Sequence, residues 1–333
     1  MSLAFELLKE IAYIRSFSGQ EEPLVDYLAM LLDEHNIPYN LEPLGGYSYN
    51  LVIGPEEASL AIVTHLDTIP REGKIEISKD KISGPGIADV KAGVALAVAL
   101  ALENHDVQIA LLAQEETTGI GSAKYLERYR PRYAIVLEPT YSRLAFAGHG
   151  MISGEIRCYG EEMHPDRAAI RKDLNAITRL LESLSNLSSL PIAPLSLSAE
   201  GEFYTPAEAR AYIEISLRPK EKPLEMLKAI RSALGENCEF LLEDLDEAFE
   251  TLDELFIERL REAYKKVYGE LRERTMPSRT DGNTLAHAGI PVAIFGPGEF
   301  ERIHTPREEV KREELEKAFE FLSLASKVLT KGI

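Results

Sequence analysis

The sequence predicts an α/β fold in which a mostly parallel sheet is flanked by helices and interrupted by an inserted ferredoxin-like βαββαβ domain. Apolar, strand-like runs alternate with helical segments over residues 1–148, and this alternation returns over residues 251–333. The stretch 149–250 instead follows the order strand, helix, strand, strand, helix, strand, which is the ferredoxin-like order. We therefore expect one domain built from 1–148 and 251–333, with a second domain inserted at 149–250.

The individual elements follow from the spacing of apolar residues. Helical spacing runs from Leu3 to His35, with Ser18 as the start signal of a second helix, and a further helix is predicted over residues 91–103. The other predicted elements of the first domain are the strands "NLVIG", "LAIVTHLD", "VQIALLAQEE", "YAIVLEP" and "IPVAIFGPG" and the helices "GSAKYLERY", "ELFIERLREAYKKVYG" and 312–330. Those of the inserted domain are the strands "MISGEIRCYG", "IAPLSLSAEGE", "ARAYIEISLRP" and "CEFLLEDL" and the helices "DLNAITRLLESL" and "KPLEMLKAIRSAL".

Composition and charge limit the classes of partner. A chain of 333 residues with a formal net charge of −18 and no localised basic patch is repelled by nucleic acids and by anionic membranes. The first residues predict a helix rather than a signal peptide, and no apolar run approaches the length of a membrane span. Cys158 and Cys238 are too few and too far apart in the sequence for a disulfide framework or a thiolate zinc site. We therefore expect a cytoplasmic protein without nucleic-acid or membrane partners.

Potential metal ligands follow one predicted strand after another. The side chains come directly after apolar runs, where the carboxyl ends of parallel strands form binding sites. Asp89 lies in a glycine-rich segment before a helix. The residues at strand ends are His65, Asp67, Glu115, Glu116, Glu138 and His304.

Each of these residues also has a simpler interpretation. His65 alone is more often a hydrogen-bonded loop histidine, Glu115 and Glu116 are more often a solvated pair, and Asp89 is a good helix N-cap. Their joint occurrence favours a common site, because several carboxylates in one cleft repel one another unless a divalent cation neutralises them. The mixed imidazole and carboxylate donors predict two metal ions, zinc by preference, with cobalt or manganese as possible substitutes.

The motifs place the chain in a family. The segments "HLDTIP", "GPGIADVKAG", "AQEETTGIGSAKYL", "LEPT", "MHPD" and "FGPGEFERIHTPREEV" resemble, in order and spacing, those of the dinuclear zinc family that contains acetylornithine deacetylase, succinyl-diaminopimelate desuccinylase, aminoacylase and carboxypeptidase G-type enzymes. The resemblance covers nearly the whole chain. It implies a zinc-peptidase type of catalytic domain, two Zn²⁺ per subunit, and an inserted lid domain that forms a homodimer.

The resemblance also implies a role for each candidate residue of the metal site. Asp89 is expected to bridge the two zinc ions, with His65 and Glu138 completing the ligands of one ion. Glu116 and His304 complete the ligands of the other ion.

Two more residues would serve the chemistry around these ligands. Glu115 is expected to be the general base that takes a proton from water and delivers it to the leaving nitrogen. Asp67 is expected to orient the imidazole of His65.

Further residues are expected to act on the substrate. By the same resemblance, His164 in "MHPD" reaches across a dimer interface to stabilise the oxyanion, and Arg218 holds a substrate carboxylate. Tyr204, Thr280 and Gly298 are further expected substrate-binding residues. Tyr204 stands near the place where the family has an asparagine, and the sequence departs from the family pattern mainly in such substrate-facing segments.

The resemblance leaves several substrates open. The compact length and the lid segments look most like archaeal hydrolases that release lysine or ornithine from an amino-group carrier protein in lysine and arginine biosynthesis. The alternatives are a small-molecule deacylase, acting on acetylornithine or succinyl-diaminopimelate, and a metallo-dipeptidase or carboxypeptidase. A non-catalytic metal- or peptide-binding member of the family is a third class, which the presence of Glu115 beside all five ligands disfavours.

Overall fold

A computed structural model describes residues 2–103 and 107–330 of the chain. They form two compact units. The first combines the chain up to Ala147 with Glu250–Met276 and the chain from Thr280 onward, and the second combines Gly148–Phe249 with Pro277–Arg279. Within the second unit, Arg279 Nε donates to Asp246 Oδ2 at 2.7 Å.

Fifteen strands and ten α-helices lie in the described residues. The strands are β1 (Tyr39–Gly45), β2 (Ser48–Ile53), β3 (Ala61–His65), β4 (Glu76–Ile77), β5 (Lys81–Ser83), β6 (Gln108–Leu112), β7 (Ala134–Val136), β8 (Ala147–Gly148), β9 (Gly150–Tyr159), β10 (Ile192–Ser198), β11 (Glu208–Leu217), β12 (Cys238–Asp246), β13 (Phe249–Glu250), β14 (Val292–Ile294) and β15 (Glu309–Lys311). The helices are α1 (Leu3–Ile11), α2 (Glu22–Glu34), α3 (Ala92–Leu102), α4 (Ile120–Arg128), α5 (Pro165–Ile170), α6 (Ala176–Asn186), α7 (Pro223–Ala233), α8 (Glu254–Tyr268), α9 (Asp281–His287) and α10 (Arg312–Thr330).

The first unit is built on a six-stranded sheet with the order β1-β2-β6-β3-β7-β14. Strands β6, β3, β7 and β14 are parallel to one another, and β2 is antiparallel to both of its neighbours. Five of the six strands therefore point in one direction, which confirms the predicted α/β class with a mostly parallel sheet. Strand β1 was not predicted, because its residues between Asn36 and Tyr49 lack a continuous apolar run.

Helices pack against this sheet in two groups. Alternate strand residues such as Ile62, Ile109 and Ile135 join a core with α1, α2, α3, α8 and α10. The intervening residues, such as Val63 and Val136, are also buried. They point to the opposite face because successive side chains of a strand alternate. Helices α4 and α9 contact each other, and α4 packs on β6 whereas α9 packs on β7 and β14. Covered on both faces, the sheet can consist of almost uninterrupted apolar strands.

The second unit is a four-stranded antiparallel sheet with the order β10-β11-β9-β12. Helix α6 packs on β9 and β11, and α7 packs on β12. Apolar residues of one face, among them Ile152, Ile156 and Ile213, are buried against these helices. The chain order strand, helix, strand, strand, helix, strand gives the ferredoxin-like topology.

The two cysteines, which are too few for a disulfide framework, are paired with each other, and this pairing was not predicted from the sequence. Cys158 and Cys238 form a disulfide across 80 residues of sequence. The pairing arises because β9 and β12 are neighbouring strands, and their register places these two residues directly opposite each other. The sequence separation gave no sign of this pairing.

The role predicted for Ser18 was also wrong. The helical segment divides into α1 and α2, and the residue before α2 is Glu21 rather than Ser18. Ser18 lies in the loop between the helices, where its hydroxyl donates to Asp67 Oδ2 at 2.7 Å. None of the helices in the described part of the chain combines the length and the apolar composition that a membrane crossing requires.

Candidate metal centre

Three neighbouring parallel strands end at one edge of the central sheet. His65 is the last residue of β3, Glu138 lies two residues beyond β7, and Glu115 and Glu116 follow β6 closely. Since β6, β3 and β7 are adjacent and parallel, their carboxyl ends lie together. The sheet topology therefore brings the side chains that follow these strands to the same edge.

The first group of potential ligands is buried and consists of His65, Asp89 and Glu138. His65 Nε2 lies 3.0 Å from Asp89 Oδ1 and 3.8 Å from Glu138 Oε1. Asp89 reaches this position from a single turn, Ile87–Lys91, that precedes α3, and the Asp89–Val90 peptide bond is cis.

The second group consists of Asp89, Glu116 and His304. His304 Nε2 lies 3.3 Å from Asp89 Oδ2 and 3.0 Å from Glu116 Oε2. Asp89 thus presents Oδ1 to the first group and Oδ2 to the second. The structure therefore brings together all five side chains that the sequence singled out as ligands.

This donor set fits two divalent cations. In each group, the potential ligand atoms all lie within 4.8 Å of one another. Imidazole nitrogens and carboxylate oxygens are the donors that divalent transition metals take in proteins. A carboxylate with one oxygen in each group has the arrangement required of a bridging ligand.

The protonation equilibria of the carboxylates reflect their crowding. Burial raises the pKa of Glu138 well above its usual value, and the nearby charges of Asp89 and Glu115 raise it further. Burial also raises the pKa of Glu116. These carboxylates hold protons more tightly than carboxylates in water, so a cation that neutralises their negative charge is well suited to the site.

The imidazoles respond to the same negative charge. Burial lowers the pKa of His65, but the charge of Glu138 and the hydrogen bonds to Asp67 and Asp89 outweigh burial and raise it well above the usual value. Hydrogen bonds to Asp89 and Glu116 raise the pKa of His304 to about 10. In the absence of a cation, the raised pKa values favour the protonated forms of both histidines, and a cation that binds the imidazole nitrogens must displace these protons.

Asp67 supports the site in a different way from the one expected. His65 Nδ1 bonds the main-chain carbonyl oxygen of Asp67 at 2.9 Å, whereas the nearer carboxylate oxygen is 3.5 Å away. The carboxylate accepts the main-chain N–H groups of Glu115 and Glu116, each at 3.0 Å. Asp67 therefore holds the imidazole with its backbone and the Glu115–Glu116 segment with its side chain.

A second buried acid, Glu21, holds the start of the same loop. Its Oε1 accepts the main-chain N–H of Gly19 at 2.7 Å and that of Gln114 at 3.2 Å. Ser18 and Glu21 were missed as supports of the site because the segment "SGQEE" was interpreted as the beginning of a helix. The one signal in the sequence is the glycine between them, Gly19. In the structure this residue has a φ of +77° and forms a turn.

The residues predicted to contact substrate from the second unit lie at its surface. His164 caps the N-terminus of α5, where its Nδ1 accepts from the main-chain N–H of Asp166 at 3.3 Å. Arg218 directly follows β11 and is exposed, and Tyr204 lies in the segment between β10 and β11 with 48% of its surface exposed.

Thr280 and Gly298 lie in the first unit. The Thr280 hydroxyl accepts the main-chain N–H of Gly282 and caps α9. Gly298 has a φ of +97°, and a Cβ there would come within 2.7 Å of the Ala88 Cβ. A glycine is therefore needed where this loop passes the residue next to Asp89.

Comparisons with known proteins agree with the motifs. The model of Peptidase family M20/M25/M40 matches residues 61–327, a range that contains all five potential ligands. A LysW-lysine/LysW-ornithine hydrolase of Sulfurisphaera tokodaii is 25% identical over 323 residues, which cover 93% of this chain and 91% of the relative. A protein of the same name from Saccharolobus solfataricus is 23% identical and covers 94% and 92%, respectively.

Solved structures share the fold at low identity. A tripeptidase from Staphylococcus aureus aligns with a TM-score of 0.80 at 16% identity and covers 99% of this chain and 98% of that one. An M20 family metallo-carboxypeptidase from Sulfolobus solfataricus aligns with a TM-score of 0.77 at 15% identity, covering 99% and 100%. With the family match over most of its length, the chain belongs to Peptidase family M20/M25/M40 and is a metal-dependent amide hydrolase.

Proposed function

We propose that this hydrolase uses two divalent cations, Zn²⁺ by preference, to cleave the amide bond of an N-acylated amino acid. Its best substrate in this proposal is a carrier-protein conjugate, from which it releases lysine or ornithine in the cytoplasm. The observation that carries the proposal is the position of Asp89, with one oxygen in each of two histidine–carboxylate groups. The relatives of 23–25% identity support the choice of substrate, because their names describe this reaction and they match over most of the chain.

In this proposal each cation has three protein ligands. His65, Asp89 and Glu138 hold one, and Asp89, Glu116 and His304 hold the other. Cations bound there supply Lewis acidity, which polarises the scissile carbonyl and makes the attacking water more acidic. The protein fixes the ligands, orients the substrate and moves the protons.

Glu115 moves the proton. Its neighbour Glu116 belongs to the second ligand group, whereas Glu115 belongs to neither group. Glu115 is buried, and its main-chain N–H is fixed by the Asp67 carboxylate at 3.0 Å. It takes the proton of the attacking water and gives it to the nitrogen of the departing amino acid, so one side chain serves as base and then as acid.

The inserted domain contributes to substrate binding and to assembly in this proposal. His164 stabilises the oxyanion in the partner subunit and Arg218 binds a substrate carboxylate, as in the family that the motifs resemble. The exposure of the His164 side chain, 73%, is consistent with such a role. Strand β10 lies at the edge of its sheet and exposes Leu195 and Leu197, which supports a homodimer formed through this edge.

The role of Glu115 is tested by Glu115→Gln, which keeps the shape of the side chain and removes the proton acceptor. We expect this variant to bind two equivalents of Zn²⁺ and to lose roughly 10²–10⁴-fold in kcat. Glu127→Gln on the following helix, where the side chain is 64% exposed, is the matched control and should keep full activity. Full activity in Glu115→Gln would remove Glu115 as the base.

The substrate is tested with a turnover panel on the zinc-loaded protein. It compares lysine and ornithine conjugates of the carrier protein with acetylornithine, succinyl-diaminopimelate and simple dipeptides. We expect the highest kcat/KM for a carrier conjugate. A higher value for one of the small molecules would refute the carrier-protein proposal and identify the enzyme as a deacylase or a dipeptidase.

Assembly is tested separately by light scattering. A monomer at the concentrations used for the activity assay would refute both the homodimer and the proposed action of His164 on the partner subunit. Leu197→Lys places a charge on the exposed edge strand and should produce monomers from a dimer. Leu224→Lys, at a position that is 72% exposed on α7, controls for the added charge and should leave the dimer intact.

A further inference from the structure

A buried glutamate outside both ligand groups contacts two of the loops that carry ligands. Glu308 Oε2 accepts the main-chain N–H groups of Ala88 and Asp89 at 3.0 and 3.1 Å. Its Oε1 accepts the main-chain N–H of His304 at 3.2 Å. One carboxylate thus connects the backbone of the shared ligand Asp89 to that of His304, although the two ligands are far apart in the sequence.

The backbone around Glu308 holds its carboxylate in this position. Glu308 directly precedes β15, which pairs with β5 in the register Glu309↔Ser83. Its carbonyl oxygen accepts the main-chain N–H of Gly84 at 2.9 Å, and β5 leads into the turn that carries Asp89. The short β5–β15 pair therefore aligns the two loops, and the side chain of Glu308 extends this alignment to the ligands themselves.

We infer that Glu308 is a positioning residue that fixes His304 relative to Asp89 and thereby determines how tightly the second ligand group holds its cation. This inference rests on the proposed assignment of the ligands. Both carboxylate oxygens are needed, because one accepts hydrogen bonds from the turn that carries Asp89 and the other accepts from the main chain of His304. Loss of a partner that orients a metal ligand commonly lowers metal affinity by roughly 10–100-fold.

The first ligand group has supports that do not involve Glu308. His65 ends β3 and its Nδ1 bonds the carbonyl oxygen of Asp67. Glu138 follows Leu137, whose main-chain N–H donates to the carbonyl oxygen of Val63 in β3 at 2.7 Å. Only Asp89 is shared, so a change at Glu308 should act more strongly on the second group, which loses its alignment of both Asp89 and His304.

The test is Glu308→Gln. A glutamine has one accepting oxygen, so it can serve one loop while its NH₂ group faces the N–H donors of the other. The matched control is Glu42→Gln, which changes another buried glutamate of the same unit, one that accepts from Asn50 rather than from a ligand loop. Zn²⁺ titration of the metal-depleted proteins gives the stoichiometry and the two dissociation constants, and thermal unfolding of the same samples reports on the fold.

We expect Glu308→Gln to lower the affinity for one of the two Zn²⁺ ions by roughly 10–100-fold and to leave the affinity for the other ion near the wild-type value. Glu42→Gln should keep both affinities. His304→Ala identifies the weakened equivalent, because it should lose the same ion. Two unchanged affinities in Glu308→Gln, or an equal loss at both sites, would overturn the inference.

Glu308→Asp gives a second test that does not depend on the folding of Glu308→Gln. Aspartate keeps the negative charge but is one methylene shorter, so it cannot reach both loops. This variant should also lower the affinity for the ion held by the second ligand group. Complete retention of both affinities would show that charge alone matters and would refute the positioning role. Wild-type protein that binds fewer than two Zn²⁺ would contradict the proposed function instead.

Discussion

Replacing Asp67 with asparagine should impair Glu115 while sparing the hydrogen bond of His65. The two carboxylate oxygens of Asp67 accept from the main chain of Glu115 and Glu116, each at 3.0 Å, and Ser18 donates to one of them at 2.7 Å. The asparagine side chain would retain one accepting oxygen and present an NH₂ group to the other main-chain donor. His65 Nδ1, in contrast, bonds the Asp67 main-chain carbonyl, which the substitution preserves.

The expected fall in kcat follows from the loss of one hydrogen bond to a charged acceptor. Asp67 is fully buried, so a main-chain N–H that loses its acceptor there carries a desolvation penalty of about 1–3 kcal/mol. If the Glu115–Glu116 segment shifts to relieve this penalty, the proton acceptor moves away from its working position. Since about 1.4 kcal/mol corresponds to a factor of ten in rate, kcat should fall by roughly 5–150-fold.

Steady-state kinetics and metal titration on the same samples distinguish the two possible roles of Asp67. We expect Asp67→Asn to lower kcat and to leave the Zn²⁺ ion of the His65 group bound with wild-type affinity. Ser18→Ala is the control, because it removes one donor to the same carboxylate without changing the acceptors of the Glu115 and Glu116 amides. Unchanged kcat together with weaker binding of the His65 ion would show that the carboxylate acts through the imidazole and would refute this reasoning.

Two further predictions concern stability and protonation. Replacing both Cys158 and Cys238 with serine should destabilise the inserted domain by up to about 4.5 kcal/mol, the loop-closure value for a separation of 80 residues. Denaturant unfolding measures this change in the free energy of unfolding, and equal stability with and without the disulfide would contradict the prediction. Hydrogen bonds to Asp89 and Glu116 raise the pKa of His304 to about 10, so His304 is protonated at neutral pH without metal. Metal binding should then release protons, and the affinity for the metal should rise with pH until that pKa is reached. Calorimetry in buffers of different ionisation enthalpy tests this prediction. A heat of metal binding that does not depend on the buffer would refute it.

The strand ends explain why part of the candidate site could be predicted from the sequence. Apolar runs identify β3, β6 and β7 as buried parallel strands, and such strands carry functional groups at their carboxyl ends. His65, Glu116 and Glu138 follow directly from this rule. The same rule was applied to His304, which lies in an irregular segment well beyond the end of β14, and Asp89 was noted in a glycine-rich segment before a helix. The expected role of each of the five as a ligand came from the order and spacing of the family motifs.

Contacts between distant segments could not be predicted in this way. The sequence indicates that a second helix begins near Ser18. It does not indicate that the loop before this helix is held by contacts to Asp67 and to the main chain of Gln114. The disulfide likewise depends on the register of β9 against β12. In each case the information lies in how elements pair, whereas periodicity reports only on the elements themselves.

The supporting acids contact the two groups of potential ligands differently. Asp67 holds the segment with Glu116, and Glu308 holds the loops with Asp89 and His304, so every potential ligand of the second group depends on a buried carboxylate that accepts main-chain N–H groups. In the first group, His65 lies within a strand of the central sheet. Loops open locally at lower free energy than central strands. Mutations in either supporting acid should therefore affect the second group first.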